Sequence, residues 1–152
     1  MLFLQFRVGM DRFVVETSRV VEVLPLVYWK QLPGAAGGLA GILNYRCTPV
    51  PLIDLSILML GHPSPERMST RIIVVSTDSV SSGRLGLIGE QVVSTVHSDP
   101  ASFVVPDDVT MTVPYLGPVL VQAYGVIQWL YVDHLVAPEA RTQLVEPHFA
   151  AP

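Results

Sequence analysis

Two prolines, Pro49 and Pro51, stand two residues apart at the head of the apolar run 50–55. Proline offers no backbone N–H, and its ring clashes with the preceding turn of a helix. A strand built here therefore lies at a sheet edge, at a strand start or beside a bulge, never as a helix interior. Ahead of it, 41–43 reads as a short apolar strand, and Asn44, Tyr45 and Arg46 as a polar corner between the two runs. The prolines stiffen that corner. An arginine held there, between strands that must be buried, is well placed to meet another protein.

The rest of the chain repeats the pattern of short apolar runs cut by Gly and Pro. Leu2, Leu4, Phe6 and Val8 alternate with Phe3, Gln5 and Arg7, the period-two signature of a half-buried strand. Residues 9–12 make a tight turn, and 13–15 return as the second arm of a hairpin. The β-branched run 18–24 is a strand ended by Pro25, and 27–32 is a shorter one closed by Pro33. The glycine-rich segment 34–41 has no Lys-Ser/Thr ending of a phosphate loop and reads as a tight turn or a single helical turn. Residues 56–60 form a helical turn stopped by Gly61, and 62–70 a linker. Then comes 71–75, apolar without alternation and so buried on both faces. A serine-rich hairpin loop, 76–83, leads to two strands, 85–88 and 92–96, joined through Gly89, Glu90 and Gln91. After a polar stretch at 99–110, three last strands are expected at 113–116, 119–123 and 126–132. A terminal turn or short helix at 133–136 precedes a mobile tail, 137–152.

Composition removes whole classes of function. At 152 residues the chain is one domain in size, and with half its residues hydrophobic and 14% charged it is not disordered. Its net charge of -4, with Lys30 its one lysine, gives no basic face for nucleic acid. The single cysteine makes no internal disulfide, no zinc ligand set is visible, and a reducing cytoplasmic setting is the simplest reading. Residues 109–132 carry no charge, but Pro114, Gly117, Pro118 and Gly125 break any membrane-spanning helix, so no membrane insertion is expected. Residues 1–7 alternate too early for the apolar region of a signal peptide.

Many short strands with almost no helical periodicity indicate an all-β barrel or sandwich. The linker falls near the middle of the strand count, which two small barrels sharing one core would fit. An enzyme needs a nucleophile, a base and a stabiliser within reach. Cys47 is the lone thiol, and His62, His97, His134 and His148 show no triad or ligand spacing. Asp107 and Asp108 read as a solvated loop. No catalytic, metal or cofactor-binding residue is assigned, and no cofactor is expected. The alternative to a docking protein is a β-barrel module that binds a small apolar ligand without catalysis.

Gly41-Ile42-Leu43-Asn44-Tyr45-Arg46, followed by Pro49-Val50-Pro51-Leu52-Ile53-Asp54-Leu55, resembles the Gly-Val-x-Asn-Leu-Arg-Gly-x-x-x-Pro-x-x-Asp-Leu signature of the CheW family, adaptors of bacterial chemosensory arrays. The likeness runs from Phe3 to about Val136. It includes the opening Phe3-to-Gly9 hairpin, Val20-Val21-Glu22-Val23-Leu24, Leu32-Pro33, Gly86-to-Val92 with Glu90 where Asp is usual, and closing strands from Tyr115. Two departures stand out: Cys47 where the family has glycine, and Gly117-Pro118 in place of the usual Tyr-x-x-Gly spacing.

The resemblance implies two small five-stranded SH3-like barrels packed on a shared hydrophobic core. The CheW-like domain would span 1–136, with one lobe at about 9–68 and the other made of 1–8 plus 69–136. It implies a non-enzymatic, cytoplasmic adaptor recruited to membrane receptor arrays. Its partners would be the cytoplasmic tip of a methyl-accepting chemoreceptor and the regulatory domain of a CheA-type histidine kinase. Val20, Glu22 and Arg46 match receptor-binding positions, and Val50 and Leu52 lie on the strand expected to face the kinase. Gly41, Asn44 and Asp54 take structural roles, Asp54 as a helix cap. Within the family, Glu22-Val23-Leu24-Pro25-Leu26 and Leu43-Asn44-Tyr45-Arg46 resemble the Wsp-type, surface-sensing branch that controls cyclic-di-GMP.

Overall fold

A computed structural model describes residues 1–105 and 113–136. The expected motions of the tail and the reading of Asp107, Asp108 and His148 lie outside the described residues.

The chain opens with a hairpin of β1 (Leu2–Val8) and β2 (Asp11–Glu16), in which Val8 pairs with Asp11. The turn is therefore the two residues Gly9 and Met10, tighter than the expected 9–12, with Gly9 at φ 61°. After a 3-10 turn come β3 (Val20–Pro25) and the two-residue β4 (Lys30–Gln31). The hairpin β5 (Leu39–Tyr45) and β6 (Thr48–Asp54) leads into α1 (Leu55–Leu60). Asp54 caps this helix by accepting the Ser56 N–H, and Gly61 ends it at φ 84°. β7 (Arg71–Ser76), β8 (Arg84–His97), β9 (Leu116–Gln122) and β10 (Gly125–Leu130) complete the strands.

Strand pairing makes two lobes. In the first, the order is β4-β5-β6-β8-β7-β3, and in the second β8-β1-β2-β10-β9. Each lobe contains one parallel pair, β6 with β8 and β10 with β2, and the architecture is that of small SH3-like barrels. β8 belongs to both. Its first part, up to Gly89, pairs with β7, and from Glu90 onward it pairs with β1.

Several sequence expectations change here. The two strands 85–88 and 92–96 are one, because the kink at Gln91 (φ 48°) redirects β8 between lobes without ending it. Gly9 N–H donates to Glu90 Oε2 at 2.8 Å and ties the kink to the β1–β2 turn. The lobe boundaries also move. β2 pairs with β1, while β7 and the first part of β8 pair with the strands of the first lobe, so the divisions drawn at 9 and 69 do not follow the pairing. The three expected last strands are two, since Gly117 and Pro118 sit inside β9 where its register against β10 shifts.

Among the described residues, three apolar clusters follow this plan. Leu43, Val50, Leu52, Ile72, Val74 and Ile88 fill the first lobe, and Phe3, Val14, Phe103 and Ile127 with Trp129 the second. The largest cluster lies where the lobes meet and takes Phe6, Val15, Ile53, Leu55, Ile73 and Leu87 from both. Phe3 is thus buried although simple alternation placed it outward, because β1 packs a different core on each face. Ile72 to Val75 are fully buried by the same logic: β7 is a wall between two cores.

Candidate functional site

The corner between β5 and β6 is Arg46 and Cys47, since Tyr45 already pairs with Thr48. Both corner residues have positive φ, 50° and 66°, the backbone demanded by a tight two-residue hairpin turn. Asn44 stabilises it by accepting the Cys47 N–H on its side-chain oxygen at 2.9 Å. Pro49 and Pro51 face away from β5. Asp54 N–H points to Gly38 O across that ladder, so the N–H groups of the even-numbered residues Val50 and Leu52 do likewise. The prolines lie opposite, where pairing with β8 begins only at Leu52.

Tyr45 is buried, so the polar corner 44–46 shows only Asn44 and Arg46 to solvent. Gly41, Leu43 and Tyr45 alternate inward along β5, a signal the corner reading overrode. The Tyr45 hydroxyl donates to Glu22 Oε1 at 2.6 Å, and Arg46 Nη2 lies 2.9 Å from the same oxygen. Arg46 also stands over the Tyr45 ring at 5.3 Å, with Arg84 at 5.9 Å. The hydrogen bond to the Glu22 carboxylate, with burial second, raises the Tyr45 pKa above that of an ordinary phenol. The Arg46 side chain is 76% exposed. Its guanidinium is therefore presented to solvent on a pinned turn, with its direction set by Glu22.

Val20 and Glu22 do not share one face as simple alternation implied. The register against β7 shifts between them, turning Val20 toward the core between the lobes and Glu22 toward Arg46. Val50 and Leu52 are each 0% exposed inside the first lobe. Their side chains are packing residues, so neither can itself make the kinase contact expected of this strand: β6 turns both inward to fill its barrel. Gly41 is fixed by a close approach, because a Cβ there would stand 2.0 Å from Lys30 O. The Asp54 carboxylate, besides capping α1, accepts from the Ser64 N–H at 3.0 Å and the Ser64 hydroxyl at 2.6 Å, anchoring the linker.

Among the described residues, no three His, Cys, Asp or Glu side chains group as a metal site. His62 Nδ1 approaches Ser56 Oγ at 3.4 Å, while the Asp54 carboxylate that would complete a relay bonds Ser56 N–H and Ser64 instead. No helix among the described residues is long and apolar enough to cross a membrane.

Comparison with known proteins agrees with this geometry. Protein PilI of Pseudomonas aeruginosa is 34% identical over 92 residues, 60% of this chain. The matched part spans half the length of PilI. The crystal structure of the scaffolding protein TtCheW from Thermoanaerobacter tengcongensis superposes with a TM-score of 0.78 at 21% identity, covering 91% of this chain and 89% of that one. The CheW-like domain matches residues 2–139. The chain belongs to the CheW-like domain family.

Proposed function

We propose that this CheW-like chain is a chemosensory adaptor, coupling the cytoplasmic tip of a methyl-accepting receptor to the regulatory domain of a CheA-type kinase through protein contacts alone. The observation that carries the reading is the exposed Arg46 guanidinium on a rigid, Asn44-pinned turn, aimed by Glu22. Exposed arginine on a preorganised scaffold loses little entropy on docking. Glu22 serves this surface by orienting Arg46, and Val20 by anchoring the start of the same strand in the core between the lobes. The mechanism is geometric: holding both partners at once, the adaptor passes a signal only as the difference in its contact energy between their conformational states. Recruitment to receptor arrays at the cytoplasmic face of the membrane follows from that role.

The test is Arg46→Glu, assayed by co-sedimentation of the purified chain with receptor cytoplasmic fragments. Recruitment should be lost while the melting temperature holds. Undiminished recruitment would overturn the assignment. The narrower Wsp-type reading rests on the wording of residues 22–26 and 43–46. It requires that deletion of the chain change cellular cyclic-di-GMP, and it fails if only motility responds.

A further inference from the structure

Among the described residues, the hydrogen-bonded sheet of the first lobe has two free ends: β3 pairs with β7 alone, and β4 with β5 alone. Between these ends lies an open groove of about 1120 Å3, bounded by β3, β4, the segment joining them and the linker before β7. Its lining includes half-buried Leu26 and Trp29, which pack on the interior of the first lobe. Tyr28 and Met68, also on the lining, are 88% and 95% exposed, an unusual outlay of apolar surface around one depression.

Charge at this groove opposes that of the whole molecule. The net charge is -4, yet the lining carries Lys30, Arg67 and Arg71 against one carboxylate, Glu66. None of these three cations forms an ion pair among the described residues. Arg71 Nε donates only to Met68 O, at 3.4 Å. Arg46, Glu22 and Tyr45 are not part of the lining.

We infer that this groove docks an extended, acidic polypeptide segment bearing alternate apolar side chains. Free strand edges offer main-chain hydrogen bonds to an extended chain, the half-buried apolar lining takes every second side chain, and the cations meet carboxylates on the others. A small apolar ligand would leave the three cations without partners, and a helix could not use the strand edges. The inference concerns a surface separate from the Arg46 turn and does not depend on the receptor reading.

The probe is a fluorescein-labelled peptide, Glu-Val-Glu-Phe-Glu-Val-Glu, titrated with the full chain by anisotropy in 0.15 M salt, beside a second peptide with Lys at every Glu position. The acidic peptide should bind saturably and the lysine peptide should not. Lys30→Glu combined with Arg67→Glu should weaken binding by about tenfold or more, since each reversal turns an attraction into a repulsion. Both side chains are exposed, so circular dichroism and melting temperature should not change. Arg46→Glu should leave peptide binding within about twofold, since Arg46 is not part of the groove lining. Absence of binding, equal binding of the lysine peptide, or indifference to the double reversal would overturn the inference. Loss of peptide binding with Arg46→Glu would overturn its separateness from the turn.

Discussion

Glu22 and Arg46 meet at 2.9 Å across two strands of the first lobe, and the carboxylate oxygen that holds the guanidinium also accepts the buried Tyr45 hydroxyl. The acid is thus a positioning residue with two ligands, one facing solvent and one facing the core. Because the arginine is largely exposed, the pair serves direction more than stability.

Replacing the acid separates the two roles. Glu22→Gln should change folding stability by less than about 1 kcal/mol, measured by urea denaturation, as exposed ion pairs do. It should also lower the Tyr45 pKa, because the carboxylate that favours the protonated phenol is gone. Ultraviolet titration of tyrosinate against the wild type checks this. An unchanged titration curve would mean that the Tyr45–Glu22 contact does not persist in solution.

Cys47 occupies left-handed backbone, φ 66°, which glycine adopts without steric penalty. Its thiol is exposed and contributes no core packing. Cys47→Gly should therefore stabilise the chain by about 0.5–1 kcal/mol, net of the added freedom of glycine in the unfolded chain. Asn44→Ala should act in the opposite sense, costing about 1 kcal/mol for the lost turn hydrogen bond. Urea midpoints for the two variants, expected on either side of the wild type, decide it.

Local chemistry made much of this legible in the sequence. The period-two pattern of β1, the unbroken apolar run of β7, the Asp54 cap and the Gly61 stop are each written in neighbouring residues. What was not legible depends on distant partners. Gly89-Glu90-Gln91 has turn composition, but pairing with β1 and the Gly9–Glu90 hydrogen bond carry the strand through it. Val50 and Leu52 read as members of a mostly buried strand, but which part of that strand meets solvent is fixed only by β8 lying beside it. Arg46 was found through its motif. Its alignment by Glu22 needed the register shift in β3, which no local pattern announces.

Gly41 shows the same dependence on tertiary contact with a sharper consequence. Its position under the β4 backbone leaves no room for a methyl group, with Lys30 O at 2.0 Å and Trp29 Cδ1 at 2.8 Å from where one would sit. Gly41→Ala must push β4 away from β5, at a cost of about 1–3 kcal/mol. Because β4 borders the groove, the quantum yield of Trp29 should change as well. Chemical denaturation together with tryptophan emission tests both, and an unperturbed midpoint would contradict the close approach.

The lobes are also joined by polar contacts, and these should set an acid limit on stability. Arg19, just before β3, donates to Asp133 after β10 and to Ser76 O at the end of β7, and Thr77 adds a 2.7 Å hydrogen bond to Asp133. The hydrogen bond from Arg19 is the main cause, and that from Thr77 a further one, holding the Asp133 carboxyl below its usual range. Glu16 and Asp78 bear on Arg19, and His134 on Asp133. A depressed pKa means that the folded state favours the ionised form. The stabilisation is therefore complete above the ordinary aspartate pKa of about 4 and disappears as pH falls through the lower folded value. Both partners are partly exposed, so water screens the contact and its worth is about 1 kcal/mol. Asp133→Asn should lower the urea midpoint at pH 7, and the gap from wild type should narrow as pH falls below the ordinary aspartate range. A gap that stays constant through that fall would show that Asp133 acts through its shape and hydrogen bonds rather than its charge.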